Sequence, residues 1–163
     1  DAVSAKKEIE RKWLLDVNNI GCDFKNAKKT EMEQMYISFS PTVRIRKEDD
    51  SRYILCVKGK PEGGGLSRDE FEIEITADDY ARLSGKAEGR KICKTRFYVP
   101  DGIGHIMEID IFKGEFSGLA YMEIEFASDD EAISYTAPAW VLKDVTNDRR
   151  YKNAALARYG FPE

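Results

Sequence analysis

Charged residues of one sign recur two positions apart along this sequence of 163 residues, and four acidic and three basic pairs of this kind are the candidates for chemistry. Residues two apart on a β-strand project from the same face of a sheet, so each pair would hold two like charges side by side. Grouped carboxylates bind Mg²⁺ or Mn²⁺, and grouped lysines and arginines bind phosphate oxygens. The four acidic pairs are Glu8/Glu10, Glu70/Glu72, Glu108/Asp110 and Glu123/Glu125, and the three basic pairs are Arg44/Arg46, Lys58/Lys60 and Lys94/Arg96.

Two interpretations of these pairs are open at this level. In the first, they form the solvated faces of a β-sandwich whose core contains the intervening residues, such as Ile9, Ile45 and Ile124. A solvated sheet face normally mixes the two signs, because like charges directly opposite each other are destabilising. The separation of signs by strand therefore favours the second interpretation, in which a polyphosphate that chelates a divalent cation supplies the missing counter-charges.

Composition restricts the chemistry further. The 30 acidic and 26 basic residues give a net charge of -4, which argues against nucleic-acid binding through overall positive charge. His105 is the only histidine, so a metal site must use mainly oxygen ligands, which favours Mg²⁺ or Mn²⁺ over Zn²⁺. We expect His105 itself to be a structural or rim residue rather than a catalytic base.

The cysteines and the hydropathy pattern indicate the cellular compartment. Cys22, Cys56 and Cys93 are far apart in the sequence and match neither a disulfide framework nor a zinc site. No apolar run approaches the roughly 18 residues that a membrane helix needs. We expect a cytoplasmic protein with neither a membrane nor a nucleic-acid partner.

Eight short segments alternate with period two and are separated by turn residues, which predicts an antiparallel sheet. A sheet of eight strands can close into a barrel wide enough to hold a small ligand. We therefore expect one domain over 1–163, of α+β class and mainly antiparallel β, built as a closed eight-stranded tunnel barrel with a charged lumen. The predicted strands are 8–14, 31–39, 42–48, 52–59, 67–76, 91–99, 104–113 and 118–127.

Helices are predicted mainly outside the barrel. Two capping boxes, in which a hydroxyl precedes an acidic residue by three positions, begin at Thr76 and Ser128. We expect these two helices to cover the apolar, outward faces of the strands. The predicted helices are 77–86, 129–135, a C-terminal helix over about 148–158 that ends near Gly160, and a short helix within 16–29.

The segment Glu8-Ile9-Glu10-Arg11-Lys12 resembles the E-x-E-x-K signature of the CYTH superfamily, the triphosphate tunnel metalloenzymes. The similarity continues in family order along nearly the whole chain. The other matching segments are Gln34-Met35-Tyr36, Val43-Arg44-Ile45-Arg46, Val57-Lys58-Gly59, Leu66-Ser67-Arg68 with Glu70 and Glu72, Lys94-Thr95-Arg96, Glu108-Ile109-Asp110, Gly118-Leu119, Glu123-Ile124-Glu125, and Trp140 with Val145-Thr146.

This resemblance implies a tunnel in which basic residues bind a triphosphate and glutamates bind one or two divalent cations. The residues that it marks as catalytic are Glu8, Glu10, Lys12, Glu123 and Glu125. The expected metal ligands are Glu8, Glu10, Glu70, Glu72, Glu108, Asp110, Glu123 and Glu125. The expected substrate contacts are Lys12, Arg44, Arg46, Lys58, Arg68, Lys94, Arg96 and Lys143, the last of which resembles a lysine on a helix that plugs one mouth of the tunnel.

The predicted activity is hydrolysis of inorganic tripolyphosphate or a related triphosphate, with release of phosphate and with Mg²⁺ or Mn²⁺ as cofactor. Two alternatives stay open: a class IV-like adenylyl cyclase that makes cyclic AMP and pyrophosphate, and a non-catalytic protein that binds polyphosphate or nucleotide. Class IV cyclases usually carry a His-Phe element just ahead of the signature, and none precedes Glu8 here. The expected partner is a small-molecule triphosphate, and a homodimer is compatible with the sequence.

Overall fold

A computed structural model of the chain describes residues 4–62 and 67–162, with the backbone alone described at 4–8, 60–62 and 67–68. Nine antiparallel strands form one sheet, and helices are few, so the fold is α+β and mainly antiparallel β, as predicted. The eight predicted strands are present, but the count of eight was wrong, because a two-residue strand too short to show any alternation joins the sheet. The strands are β1 Ser4–Leu14, β2 Lys28–Ser38, β3 Thr42–Glu48, β4 Arg52–Glu62, β5 Ser67–Ile75, β6 Glu88–Pro100, β7 Ile106–Lys113, β8 Ala120–Glu125 and β9 Lys143–Asp144.

The strand order places sequence-distant strands side by side. Neighbouring strands hydrogen-bond in the order β5-β4-β3-β2-β6-β7-β8-β1-β9. The long strand β1 takes part in more than one antiparallel ladder, because Ser4 to Ile9 pair with β5 while Glu10 to Leu14 pair with β8. The outermost strand β5 of this order is therefore hydrogen-bonded to β1 as well as to β4.

Two helices begin at the predicted capping boxes: α1 is Ala77–Ser84 and α2 is Asp129–Ser134. The hydroxyls of Thr76 and Ser128 each accept a hydrogen bond from the backbone N–H three residues on, at 3.0 and 3.1 Å. Each cap satisfies a helical N–H group that would otherwise lack a partner. Both helix starts were thus predicted correctly.

The C-terminal helix differs from its prediction. The chain forms a 3₁₀ helix at Arg149–Tyr151, passes through an extended Lys152, and only then forms α3 at Asn153–Tyr159. Gly160 ends α3 with a φ of 92°, a conformation that glycine adopts without strain. A further 3₁₀ helix, Gly114–Phe116, connects β7 to β8.

The predicted helix within 16–29 is absent, and turns lead into β2 instead. Asp16 accepts a hydrogen bond from the backbone N–H of Asn18 at 2.9 Å, and Asp23 accepts one from the amide of Asn26 at 3.0 Å. Such local bonds between side chains and backbone or neighbouring side chains compete with helical hydrogen bonds and favour turns. No helix in the described part of the chain is long and apolar enough to cross a membrane.

Apolar residues between the charged pairs of β7 and β8 form an outer core, as predicted, whereas Phe71, between Glu70 and Glu72, is 40% exposed. Ile109 and Ile124 are fully buried on one face of β7 and β8, where Ala132 of α2 packs with them. Trp13 of β1 belongs to the same cluster and lies 5.5 Å from the ring of Tyr135. The helix thus covers the face of the sheet that the alternation assigned to burial.

A second core was not predicted. At one end of the sheet the faces that carry the charges become apolar: Tyr36, Ile92, Phe112 and Tyr121 lie two residues beyond Gln34, Lys94, Asp110 and Glu123. These four side chains pack with Tyr151, Leu156 and Ala157 from the C-terminal region. The charged faces therefore give way to an apolar surface at this end of the sheet, on which the C-terminal helix packs.

Candidate active site

A cavity of about 280 Å³ is lined by side chains from all eight long strands. Its charges are almost balanced within the described residues, with seven glutamates and six basic side chains. The glutamates are Glu10, Glu48, Glu70, Glu72, Glu108, Glu123 and Glu125. The basic residues are Lys12, Arg44, Arg46, Lys58, Arg96 and Lys152.

Four of the glutamates form two cross-strand pairs on neighbouring strands. Glu10 of β1 lies directly opposite Glu125 of β8, and Glu108 of β7 lies directly opposite Glu123 of β8. Side chains directly opposite each other in an antiparallel ladder have Cβ atoms only ~5 Å apart, and like charges there are destabilising. This arrangement concentrates carboxylates on one wall of the cavity.

The electrostatic cost of this wall is visible at Glu108. Burial raises the pKa of Glu108 to about 7, Arg96 opposes the shift, and the carboxylates of Glu123, Asp110 and Glu125 add to it. A raised pKa means that the folded protein resists placing the negative charge there. A cation bound beside this carboxylate would remove that resistance.

Basic side chains dominate on β3 and β4. On one side, β2 and β6 lie between these two strands and the carboxylate wall. Arg44 donates to the side-chain oxygen of Gln34 at 3.0 Å, and its Nη2 lies 3.7 Å from Oε2 of Glu70. Lys58 places its Nζ 3.6 Å from the same oxygen. These groups are the donors that phosphate oxygens require.

Two buried atoms in this basic region lack a hydrogen-bond partner. Among the described residues, these atoms are Nε of Arg44 and Oε2 of Glu70. Glu70 is only 3% exposed, so bulk water cannot readily supply the partner. Buried polar atoms are normally paired, and an unpaired one points to a partner that the protein alone does not provide. Arg46 is better satisfied, because its Nε donates to Glu48 at 2.8 Å and its Nη2 lies 3.7 Å from Glu72.

Cys56 adds a third potential ligand next to two of these carboxylates. Its sulfur and one oxygen each from Glu70 and Glu72 lie within 4.8 Å of one another. Burial raises the pKa of the Cys56 thiol, and Arg44 partly opposes the shift. The cationic groups of Arg44 and Lys58 beside Glu70 disfavour a metal ion at this position.

Lys12 reaches toward the apolar end of the cavity. Its ammonium donates to the backbone carbonyl of Tyr151 at 3.1 Å and lies 4.7 Å from the ring centre of Tyr121. Only 8% of the residue is exposed. Lys12 therefore lies between the carboxylate wall and the C-terminal region.

Arg96 occupies the centre of an ionic cluster. Its Nη1 lies 3.3 Å from Glu108, and its Nη2 lies 3.2 Å from Glu123. Asp110 accepts hydrogen bonds from Nε and Nη2 of Arg96 at 2.7 and 2.8 Å, and from Lys94 at 2.7 Å. Burial raises the pKa of Asp110, but the charges of Arg96 and Lys94 outweigh it and leave that pKa well below its usual value.

The structure gathers most of the predicted site residues around this cavity. Of those whose side chains are described, Lys94, Asp110 and Lys143 do not line it. Lys94 and Asp110 are fully buried behind Arg96, and Lys143 is an exposed residue of β9 with its Nζ 5.4 Å from the ring centre of Tyr151. Lys143 is thus on a strand rather than on a helix. Glu8 and Arg68 lie outside the residues whose side chains are described, as does Lys60 of the basic pairs.

Sequence reasoning missed several lining residues. Glu48 continues the two-residue spacing of Arg44 and Arg46, so that spacing could have identified it. Gln34 was noted only as part of a family segment, although it is 2% exposed and bound to Arg44. Lys152 and Asn153 come from the C-terminal region, where no strand periodicity places them; Oδ1 of Asn153 is buried without a hydrogen-bond partner.

His105 lies outside the cavity. Its ring nitrogens are 2.9 Å from Asp101 and 2.7 Å from Glu131, and its ring packs against Phe126 and Tyr135 at 5.2 Å. The hydrogen bonds with Glu131 and Asp101 raise the pKa of His105. These contacts tie the start of β7 to α2, which is a structural role.

The site therefore has two chemically distinct zones within one cavity. The wall formed by β1, β7 and β8 presents carboxylates suited to a divalent cation with octahedral oxygen coordination. The region formed by β3 and β4 presents guanidinium and ammonium groups suited to phosphate. A ligand that satisfies both zones must carry several phosphate groups and bind a cation.

Comparisons with known proteins agree with this geometry. The CYTH domain model matches residues 6–152. An inorganic triphosphatase of Nitrosomonas europaea is 37% identical over 155 residues, covering 92% of this chain and 96% of that protein. An inorganic triphosphatase of Acetivibrio thermocellus is 34% identical over 155 residues, covering 93% and 94% respectively.

Solved structures share the same fold. The crystal structure of an inorganic triphosphatase superimposes with a TM-score of 0.66 at 31% identity, covering 92% of this chain and 93% of its own. A putative adenylyl cyclase from Hippeastrum, described as having a dominant triphosphatase activity, superimposes with a TM-score of 0.59 at 17% identity, covering 77% and 82%. At that identity the second similarity concerns the fold alone.

Proposed function

This chain belongs to the CYTH domain family, and on that basis we propose that it hydrolyses inorganic tripolyphosphate, or a closely related triphosphate, in a reaction that depends on a divalent cation. The relatives named inorganic triphosphatase support this substrate class, because they match more than nine-tenths of the chain. We propose the reaction, its dependence on a metal ion and the roles of individual residues together.

One observation carries the proposal: a wall of paired glutamates and a group of basic residues line the same cavity. The pairs Glu10/Glu125 and Glu108/Glu123 hold like charges against each other. Arg96 offsets part of this charge beside Glu108 and Glu123, and a bound cation would offset more of it. Arg44, Arg46 and Lys58 hold donors for phosphate oxygens. A triphosphate that chelates a metal ion meets both requirements.

The carboxylate wall would hold the cation. Glu10, Glu108, Glu123 and Glu125 fit Mg²⁺ or Mn²⁺ in donor chemistry, since all are oxygen ligands from neighbouring strands, and Glu8 would extend the set by its place in the signature. A bound divalent ion supplies charge neutralisation of phosphate oxygens and a water of lowered pKa. Glu70 and Glu72 remain candidates for a second cation position beside the phosphate chain.

The basic residues would hold and orient the phosphate chain. Phosphoryl transfer demands mainly positioning and charge stabilisation, with little covalent chemistry from the protein. Arg44, Arg46 and Lys58 would bind the phosphates along β3 and β4, and Lys12 and Arg96 would bind the end nearest the carboxylates. Arg68 would add a contact by its position in the family segment, while Lys94 and Lys143 would need to move to reach the substrate.

We further propose that the eight long strands close into a tunnel around this cavity and that residues 1–163 form one domain. Two features support closure: β1 is hydrogen-bonded to both β5 and β8, and each of the eight strands contributes a lining side chain. A closed wall would exclude bulk water and strengthen the charge interactions within.

The experiment is a product assay on the purified chain. Tripolyphosphate, ATP, thiamine triphosphate and pyrophosphate would each be incubated with Mg²⁺, Mn²⁺ or EDTA, and the products would be separated by ion chromatography. We expect fast release of orthophosphate from tripolyphosphate only with metal. Pyrophosphate together with cyclic AMP from ATP would identify a cyclase instead, and tight binding of intact tripolyphosphate without turnover would identify a binding protein.

A further inference from the structure

Asp110 is poorly placed to bind a metal ion in the cavity. It is fully buried, and its two oxygens accept three hydrogen bonds of 2.7 to 2.8 Å from Arg96 and Lys94. The signature position of Asp110 suggested a ligand, but a ligand must turn an oxygen toward the cavity. Any such rotation would break the bonds to two buried cations, which is strongly unfavourable in a low-dielectric interior.

The bonds from Asp110 determine the plane of the Arg96 guanidinium. Nε and Nη2 of Arg96 both donate to this carboxylate, a two-point contact that fixes the orientation of the planar group. The two terminal nitrogens then lie 3.2 to 3.3 Å from Glu123 and Glu108, at the carboxylate wall. Of Lys94, Asp110 and Arg96, it is Arg96 that lines the cavity.

Lys94 accounts for the charge of the cluster. Its ammonium is fully buried, lies 2.7 Å from Asp110, and has the ring of Phe112 at 5.4 Å. Lys94 offsets the charge of Asp110, so the buried carboxylate does not cancel the positive charge of Arg96. Arg96 carries that charge into the cavity, where its terminal nitrogens also contact Glu108 and Glu123.

We propose that Lys94 and Asp110 are positioning residues that hold the Arg96 guanidinium in a fixed orientation for a substrate phosphate, and that neither touches metal or substrate. This inference rests on the proposed function for the identity of the phosphate ligand. It replaces the metal-ligand role of Asp110 and the substrate-contact role of Lys94 that the sequence suggested. Arg96 is then the contact through which both residues act.

The test compares the double variant Lys94→Met/Asp110→Asn with Glu125→Gln, a variant of the carboxylate wall. The double variant keeps the net charge unchanged and leaves no unpaired buried lysine, so it is the variant to use if Asp110→Asn alone does not fold. Mn²⁺ affinity of the substrate-free protein would be measured by calorimetry, and KM and kcat would be measured with tripolyphosphate. We expect the double variant to bind Mn²⁺ within threefold of the original chain while its KM rises at least tenfold.

A coupling experiment separates positioning from general destabilisation. Arg96→Lys keeps the charge but loses the two-point contact, so it should raise KM by a similar factor. Because Asp110 and Lys94 would act only through Arg96, adding Lys94→Met/Asp110→Asn to Arg96→Lys should produce little further increase, whereas independent effects would multiply.

The inference would be overturned if the double variant lost Mn²⁺ affinity by tenfold or more, a loss comparable with that of Glu125→Gln. An unchanged KM in the double variant would also overturn it, as would effects on KM that multiply in the coupling experiment. If the original chain shows no turnover, the proposed function fails. Calorimetric affinity for tripolyphosphate then replaces KM, and the inference is still decided by the same comparison.

Discussion

Glu10 and Glu125 face each other across the ladder between β1 and β8, and both side chains line the cavity. Without a functional constraint, opposite charges would be favoured at two such facing positions, because opposite charges attract and like charges repel. Glu108 and Glu123 repeat the arrangement one strand further on. If the wall holds the proposed cation, removal of one of these carboxylates should affect function far more than folding.

Glu10→Gln and Glu125→Gln should each fold and yet lose metal-dependent phosphate release by about 100-fold or more, a loss of the size seen when one charge-stabilising group is removed from an active site. Phosphate release from tripolyphosphate with Mg²⁺ is the measurement, with thermal melting to verify folding. Glu115→Gln is the matched control, because Glu115 is exposed and paired with Arg90 away from the cavity. Full activity of both cavity variants would contradict the proposed role.

Divalent cations should stabilise the folded protein. A ligand at about 100 times its dissociation constant that binds only the native state adds ~2.7 kcal/mol to the free energy of unfolding. We expect Mg²⁺ or Mn²⁺ to raise the melting temperature relative to EDTA, and Glu108→Gln to reduce that gain. An equal gain in the variant, or no gain in the original chain, would argue against a cation at the carboxylate wall.

His105→Gln should weaken the protein more in mild acid than in mild alkali. Because hydrogen bonds with Glu131 and Asp101 raise the pKa of His105 above its ordinary 6.5, its ionic contribution is fully present below about that pH and is lost as the pH rises through the folded-state pKa. Melting temperatures at pH 5.5 and pH 8.5 would be compared. If His105→Gln lowered the melting temperature equally at both pH values, the ionic contribution would be contradicted. Only the packing of the His105 ring against Phe126 and Tyr135 would then explain the loss of stability.

Leu156→Ala should detach α3 from the apolar end of the sheet. Leu156 is fully buried among Tyr36, Ile92 and Phe112, and truncation of a buried leucine costs about 2 to 5 kcal/mol. Urea denaturation would measure the free energy of unfolding. Tyr159→Ala on the same helix is the control, since Tyr159 is 72% exposed. This variant should change the free energy of unfolding by no more than about 0.5 kcal/mol. A similar cost for both would contradict the packing described.

The sequence determined which side chains share a face of each strand. A period of two is a local property of the extended backbone, so the acidic and basic groupings and the apolar residues between them could be assigned without any knowledge of neighbouring strands. Capping at Thr76 and Ser128 is likewise local and was predicted correctly. The family segments then indicated which faces belong to one site.

Only the tertiary structure decided what each charged residue meets. Glu10 faces Glu125, and Glu108 faces Glu123, because strands separated by as many as 115 positions pair in a particular register. The ladder between β6 and β7 buries Lys94 against Asp110, and neither side chain lines the cavity. Packing of the C-terminal region on the sheet brings Lys152 and Asn153 to the site from a segment with no strand pattern. Burial and pairing depend on long-range contacts between backbones, and the spacing of residues along one strand does not encode them.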